Sequence, residues 1–448
     1  MPKRSCLAIV LAAGEGTRMR SATPKVMHAV GGRPMLGHVL DAARSAGATR
    51  MAVVVGPGAE ATRRFVEGTG YPAAIHEQTE RLGTAHAVLA ARKEFAGQDD
   101  ILVLYGDTPR ITPKTLKRMR RALAGKADVV VLGFRPADPA RYGRLIVDGK
   151  RLTAIREFND ATTEERAIGL CNAGVMGFSG KAASLLRKIG NANAKGEYYL
   201  TDLVELANAA GKAVVALEAD ADEVLGVDNR AQLAVAERLF QDEARQAALE
   251  GGATLIDPQS IYFSHDTKIG RDVVVEPQVF FGPGVTIADG ATIRAFSHVE
   301  GASIASGAIV GPYARLRPGA EIGPKARVGN FVEVKNAVVD AGAKLNHLSY
   351  IGDAHVGAAA NIGAGTITCN YDGFAKHHTE IGAGAFVGSN SALVAPVTIG
   401  EGAYVGSGSV ITRDVAEDAL AVARGRQFDR PGWAAEFRKR KAAEKTGK

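Results

Sequence analysis

The sequence predicts two folds in series: an α/β, Rossmann-like nucleotide-binding unit and then a parallel β-helix built from six-residue repeats. Three observations carry this. From Ile304 to Val334 an aliphatic residue returns at every sixth position (Ile304, Val310, Leu316, Ile322, Val328, Val334), and the same period recurs at Ile381, Val387, Leu393, Ile399, Val405 and Ile411. No helix has a period of six, and a short unit that cannot bury its own apolar face builds a core only by stacking. The first half shows no such repeat; there, short aliphatic runs alternate with helix-like stretches. Between Asp228 and Glu250 lies a segment rich in helix formers, closed by Gly251-Gly252.

In the first half, the runs Leu7 to Leu11, Met51 to Val55, Ile101 to Tyr105 and Val129 to Leu132 are bounded by Gly, Pro or Asp and read as strands. Such sheets bind ligands at the carboxyl ends of their strands. Two of those ends carry polar chemistry, Gly14 to Arg18 with Lys25 close behind, and Gly106-Asp107. A glycine loop lets backbone N–H groups approach phosphates, and Arg18 and Lys25 add charge for phosphate oxygens. The pattern is neither the dinucleotide fingerprint nor a Walker loop, so by itself it fits a tight turn with a solvated Arg equally well. Asp107 at the tip of an apolar strand suits Mg²⁺, which takes one or two carboxylates and lets substrate phosphates fill the shell. In isolation it fits an N-cap for the helix starting near Pro113 at least as well.

The second half extends the repeat through fragments at Ile287/Ile293/Val299, Leu345/Ile351 and Val356/Ile362. Three such units per coil give a triangular prism with aliphatic residues stacked inward. Where the hexads falter, polar residues gather: Asn346-His347 with Tyr350, and the long interruption from Thr368 to His378. A neutral His can take a proton from an attacking amine, although by itself a lone His beside a coil reads better as a surface side chain. His377-His378 lacks the spacing of a metal pair.

Composition narrows the class. The chain has 448 residues, 46% apolar and 23% charged, enough for sizeable cores. Cys6, Cys171 and Cys369 are odd in number and far apart, which excludes a disulfide framework and points to a reducing, cytoplasmic setting. Lys3 and Arg4 before Leu7 to Ala13 resemble a secretory leader, but the apolar stretch is short and runs straight into the glycine loop. No apolar run reaches the roughly 20 residues of a membrane span. Much of the net charge of +7 sits in the tail from Arg438 to Lys448, expected to be solvated and disordered. With no aromatic-interleaved basic patch, nucleic acid is not an expected partner.

Taken together, Leu11 to Arg18, Pro24-Lys25, Gln78, Leu82 to Thr84, Tyr105 to Asp107, Tyr142 to Arg144, Glu157, Asn172 to Gly174 and Gly196 to Asp202 occur in the order seen in sugar-nucleotide pyrophosphorylases. Over nearly its whole length the chain resembles the bifunctional bacterial N-acetylglucosamine-1-phosphate uridyltransferase/glucosamine-1-phosphate acetyltransferases. The resemblance implies a nucleotidyltransferase domain (1–228), a helical linker (229–250) and a left-handed hexapeptide-repeat acetyltransferase domain with a basic tail (251–448). It implies that Leu11, Ala12, Ala13, Gly14, Gln78, Gly83 and Thr84 hold the uridine of UTP, with Gln78 reading the uracil edge. Arg18 and Lys25 would neutralise the phosphates in flight. Tyr105, Gly106, Gly143, Glu157 and Asn172 would surround the sugar, and Asp107 and Asp228 would hold Mg²⁺. Asp228 stands where the family usually has Asn, which keeps a hard oxygen ligand; a shift of register would make Asn229 the ligand instead.

For the second half the resemblance implies that Arg317 and Lys335 clamp the phosphate of glucosamine 1-phosphate while Tyr350 and Asn361 orient its sugar. His347 would be the general base for attack on acetyl-CoA. The coenzyme would lie along Ala364, Asn370, Tyr371, Ser389, Ser407 and Arg424, with Ser407 standing where Ala is usual. Cys369 is not read as a nucleophile. A homotrimer supplying UDP-N-acetylglucosamine for bacterial envelope polymers is what the family implies. Two other readings are a uridylyltransferase with a scaffolding solenoid, disfavoured by Arg317, Lys335 and His347, and an inactive regulatory protein, disfavoured by Lys25 and Asp107.

Overall fold

The computed structural model describes residues 4–149 and 151–446, so Lys3 of the leader-like stretch and Lys448 of the tail lie outside the described residues. The chain forms two compact units, 1–246 and 247–448.

The first unit is built on a seven-strand path: β1 (Cys6–Ala12), β2 (Arg50–Val55), β3 (Ala73–Glu77), β4 (Asp100–Tyr105), β5 (Val129–Phe134), β6 (Cys171–Ser179) and β7 (Val214–Glu218). Their order across the sheet is β7-β5-β6-β4-β1-β2-β3. All neighbours are parallel except β6, which runs antiparallel to both β4 and β5. Strands covered on both faces read as continuous apolar runs. In β1, Cys6, Ala8 and Val10 enter one core while Leu7, Ile9 and Leu11 enter the other. A hairpin, Arg144–Asp148 with Arg151–Arg156, extends the sheet beside β6.

The chain leaves β1 toward β2 on one side and returns to β4 on the other, so the strand order reverses between β1 and β4. That reversal opens a crevice at the strands' carboxyl ends. Leu11 and Tyr105 are paired there, and the Gly106 N–H donates to the Leu11 carbonyl at 3.0 Å. The helix Pro113–Gly125 is capped by Thr112, whose hydroxyl accepts from the Thr115 N–H, with Pro at the first helical position. Asp107 is therefore not the cap.

The segment expected as a linker is the helix Arg230–Glu250, and it starts where Asn229 Oδ1 accepts from the Gln232 N–H at 3.0 Å. Its first turns are not a free arm. Leu233, Ala236 and Phe240 pack with Val30, Met35 and Val227.

The second unit is a parallel β-helix. Val310 pairs with Val328 and Val387 with Val405, each one coil of three hexads apart. Ile362 instead pairs with Val387, because the loop through Asn370 to His378 is spliced into that coil. The repeat aliphatics are fully enclosed: Val310, Leu316, Val334, Leu345, Ile351 and Val405 are all 0% exposed. At one corner Phe296, Tyr313, Phe331 and Leu348 adopt positive φ, between 50° and 61°. Bulky residues pay roughly 1–3 kcal/mol for that backbone. Three of them recover part of it by stacking, with ring centroids 4.8 Å and 5.2 Å apart. The four side chains form an exposed apolar ladder.

The tail corrects the expectation of disorder. Trp433–Thr446 is a helix with no buried residue, in which Trp433 and Phe437 stack one turn apart. Among the described residues no helix is long and apolar enough to cross a membrane.

The inward hexad residues should dominate the stability of the second unit. Leu316→Ala removes a fully enclosed side chain and should cost about 3 kcal/mol. Hydrogen exchange on the full chain checks this: amides in the coils around 299–334 should exchange about a hundredfold faster, with those of 1–246 unchanged.

Candidate functional sites

The crevice between β1 and β4 is a cavity of about 530 Å³. Leu11, Ala12, Ala13, Gly14, Lys25, Gln78, Gly83, Thr84, Tyr105, Asp107, Gly143, Glu157, Asn172 and Asp228 all line it. Two expected residues do not. The Gly106 N–H is committed to the sheet, and Arg18 lies at the edge with its side chain 70% exposed.

At the floor, the Lys25 ammonium meets both carboxylates. It pairs with Asp107 Oδ2 and, at 2.9 Å, with Asp228 Oδ1, while Arg18 reaches the same Asp228 oxygen at 2.9 Å. Lys25 and Asp107 are 13% and 16% exposed. Burial works against the Lys25 charge, but Asp107 and Asp228 outweigh it and hold the ammonium above the ordinary lysine value. Gly16 permits this approach. It has φ +64°, and a Cβ there would strike the Lys25 Cβ at 2.7 Å. Asn229 is occupied as the helix cap, whereas Asp228 faces Lys25.

Two carboxylates aimed at one point fit a hard cation that completes its shell with phosphate oxygens. Among the described residues there is no cluster of three or more His, Cys, Asp or Glu that could hold a metal ion.

One wall is the loop from Gln78 to Thr84. The Gln78 side chain is buried, its amide nitrogen donating to the Gly83 carbonyl at 3.1 Å and meeting His86 Nδ1 at 3.2 Å. Gly83 has φ +111°, and a Cβ there would lie 2.5 Å from the Tyr198 carbonyl oxygen. Thr84 Oγ1 accepts from the Leu200 N–H at 2.9 Å, so the Gly196 to Asp202 segment braces this wall. On the opposite side Asn172 Oδ1 accepts from the Gly174 N–H, and burial pushes the Glu157 carboxyl and the Tyr105 hydroxyl above their ordinary values. Arg144 is buried and donates to the Ala140, Tyr142 and Arg166 carbonyls, so it holds the loop that carries Gly143 rather than facing the cavity.

The second constellation lies on the surface of the β-helix. His347 is paired in register with Asn330, and its Nδ1 lies 2.8 Å from Asn330 Oδ1. An amide oxygen only accepts, so Nδ1 carries the proton and Nε2 is the basic nitrogen. Past the corner at Leu348, on the next sheet of the prism, Tyr350 pairs with Glu333, which accepts from Arg317 at 2.9 Å. Lys335 is pushed below the ordinary lysine value, first by the adjacent Lys376. Two ammonium groups held together are relieved by an anion. Asn370 donates to Tyr350 Oη at 3.3 Å and to Asp353.

Asn361 begins a strand of the sheet that carries His347, and Ala364, Ser389 and Ser407 stack on successive coils. The Ala364 carbonyl accepts from the Asn390 N–H, the Ser389 carbonyl from the Gly408 N–H, and the Ser407 carbonyl from Arg424 Nη1 at 2.6 Å. His347, Tyr371, Ser389, Ser407 and Arg424 are exposed. Cys369 is half-buried, its Sγ near the Ile367 carbonyl.

Sequence reasoning passed over Arg81, Arg141, Tyr142 and Glu197, which also line the cavity, and Asn330 and Lys376 in the second unit. Tyr142 and Glu197 sit inside recognised motifs. Asn330 becomes visible only through strand register, one coil from His347.

Comparison with known proteins gives a consistent picture. The MobA-like NTP transferase domain family matches residues 8–170, and the bacterial transferase hexapeptide (six repeats) family matches 266–301 and 378–413. Curated relatives named "Bifunctional protein GlmU" align almost end to end. That of Azorhizobium caulinodans is 60% identical over 440 residues, covering 98% of each chain. That of Nitrobacter hamburgensis is 60% identical over 450 residues and covers 100% of each, and that of Paramagnetospirillum magneticum is 56% identical over 452 residues, again covering 100% of each.

The carboxylates raise the Lys25 pKa, so removing one should lower it and leave more free amine at any pH below that value. Asp228→Ala should label faster than the parent at Lys25 with an amine-selective acylating reagent, read by peptide mass spectrometry; an unchanged rate would contradict the electrostatic account.

Proposed function

The chain belongs to the bifunctional GlmU family, and from that membership and the two constellations we propose how each half works. The enzyme is bifunctional: its second unit transfers acetyl from acetyl-CoA to glucosamine 1-phosphate, and its first transfers uridylyl from UTP to N-acetylglucosamine 1-phosphate with release of pyrophosphate. The observation that carries the reading is the coexistence in one chain of the Lys25, Asp107 and Asp228 cluster and the oriented His347.

In the first unit, uridine lies against Leu11 to Gly14 and the Gln78 to Thr84 wall, and the sugar lies between Tyr105, Gly143, Glu157 and Asn172. A phosphate oxygen of the sugar phosphate attacks the α-phosphorus in line, the bond to the β-phosphate oxygen breaks, and pyrophosphate leaves. No covalent enzyme intermediate is needed. Lys25 and Arg18, both already at the carboxylates, move charge onto the phosphates as they bind, so catalysis is positioning plus neutralisation. Asp107 and Asp228 would hold Mg²⁺, which when bound supplies further neutralisation of the triphosphate.

In the second unit, His347 Nε2 removes the proton as the 2-amino group of glucosamine 1-phosphate attacks the thioester carbonyl, and CoA departs as thiol. Asn330 fixes the tautomer. Arg317 and Lys335, with Lys376 beside them, clamp the sugar phosphate, while Tyr350 and Asn361 orient the ring. Acetyl-CoA runs along Ala364, Asn370, Tyr371, Ser389 and Ser407 to Arg424.

This set straddles one corner on the open surface of the prism. That exposure, the apolar corner ladder and Phe374, 97% exposed at the tip of the spliced loop, support a homotrimer whose neighbouring copies close the site. Phosphorylated and CoA-linked substrates and the absence of disulfides among the described cysteines support a cytoplasmic setting.

Two uncoupled assays on the full chain test this. His347→Ala should lower CoA release by about a thousandfold and leave pyrophosphate release from UTP and N-acetylglucosamine 1-phosphate intact. Asp107→Ala should do the reverse. No CoA release from the parent protein would reduce the second unit to a scaffold.

A further inference from the structure

The cavity wall holds two cations, Arg81 and Arg141, that neither the sequence patterns nor the proposed reaction uses, and Arg81 is the one bonded to the glycine loop. Arg81 sits between Gln78 and Gly83, at the apex of the base-reading loop, and it faces the glycine loop after β1. Its Nε donates to the Ala13 carbonyl at 3.2 Å, and its Nη1 pairs with Glu15 Oε1. Gly56, just past β2, makes room for it, since a Cβ there would lie 3.3 Å from Arg81 Nη2. One guanidinium therefore spans the carboxyl ends of two neighbouring strands.

The two loops so joined have different tasks. The Gln78 to Thr84 loop is fixed at one end by the Gln78 N–H donating to the Val55 carbonyl and at the other by Thr84 and Leu200. Glu15 stands between Gly14 and Gly16, a stretch of backbone with little intrinsic order, so ordering it on ligand binding carries an entropic cost. The planar fork of an Arg suits a simultaneous hold on a carbonyl and a carboxylate.

We propose that Arg81 is a positioning residue of the uridylyl site: paired with Glu15 and the Ala13 carbonyl, it latches the base-reading loop to the phosphate loop and so preorganises the pocket for UTP. The proposal rests on the uridylyltransferase reading. A latch that acts before chemistry strengthens binding in ground and transition state alike, so its loss raises KM without lowering kcat. The partner of Arg81 is then Glu15, not the nucleotide, and the two residues act as one unit.

A double-mutant cycle on the full-length protein tests this with Arg81→Ala, Glu15→Ala and the combined variant, alongside Arg81→Lys. UTP binding is measured by calorimetry with Mg²⁺, with KM for each substrate and kcat. Arg81→Ala and Glu15→Ala should each weaken UTP binding and raise KM for UTP by about five- to tenfold, and the double variant should be no worse than Arg81→Ala. Arg81→Lys should recover part of the loss. The KM for the sugar phosphate, kcat and CoA release should stay within about twofold, and CoA release also reports that each variant is folded. Tighter or unchanged UTP binding in Glu15→Ala, or losses that multiply in the double variant, would overturn the latch. A parent that binds no UTP would instead remove the uridylyltransferase reading beneath it.

Discussion

The Lys25 ammonium, held between Asp107 and Asp228, is the contact around which the lining of the first unit's cavity is organised. Three residues far apart in the chain reach it by separate routes: Lys25 on the turn after the glycine loop, Asp107 off the end of β4, and Asp228 just before the helix Arg230–Glu250. A buried charge is costly unless paired, and Lys25 together with Arg18 balances the charge of Asp107 and Asp228. Gly16, Thr112 and Asn229 each keep the arrangement free of competing roles, the first by sparing a side chain and the other two by taking the helix caps.

The second unit obeys a different constraint. Six-residue periodicity enforces parallel stacking, so residues one coil apart become neighbours whatever lies between them. Asn330 beside His347, and Ala364, Ser389 and Ser407 in a line, follow directly. The prism core is filled mainly by stacked aliphatic residues, and His347, Tyr371, Ser389, Ser407 and Arg424 are exposed outside it.

Both folds were legible because their periods are local. Four strands of the first sheet (β1, β2, β4 and β5) and every hexad of the two long trains can be read from spacing alone, and Asp107 stood out as a carboxylate on an apolar strand. Roles that depend on tertiary pairing were not readable. Arg81 looks like any loop cation until the Ala13 carbonyl and Glu15 are seen opposite it. Arg144 lies inside a recognisable motif yet bonds three carbonyls away from the cavity. The tail was expected to be disordered on charge alone, which overlooks its run of helix-forming residues and the Trp433 and Phe437 pair one turn apart.

In the proposed reaction the two carboxylates would exchange part of their hold on Lys25 for a metal ion when nucleotide binds. The most direct measurement is a crystal structure of the full chain with UDP-N-acetylglucosamine and Mn²⁺ in place of Mg²⁺, using the anomalous signal to locate the ion. The account predicts a single peak between Asp107 and Asp228 in the first unit, with Lys25 Nζ turned onto a phosphate oxygen. A peak elsewhere in the cavity, or Lys25 still bridging both carboxylates with no ion beside them, would contradict it.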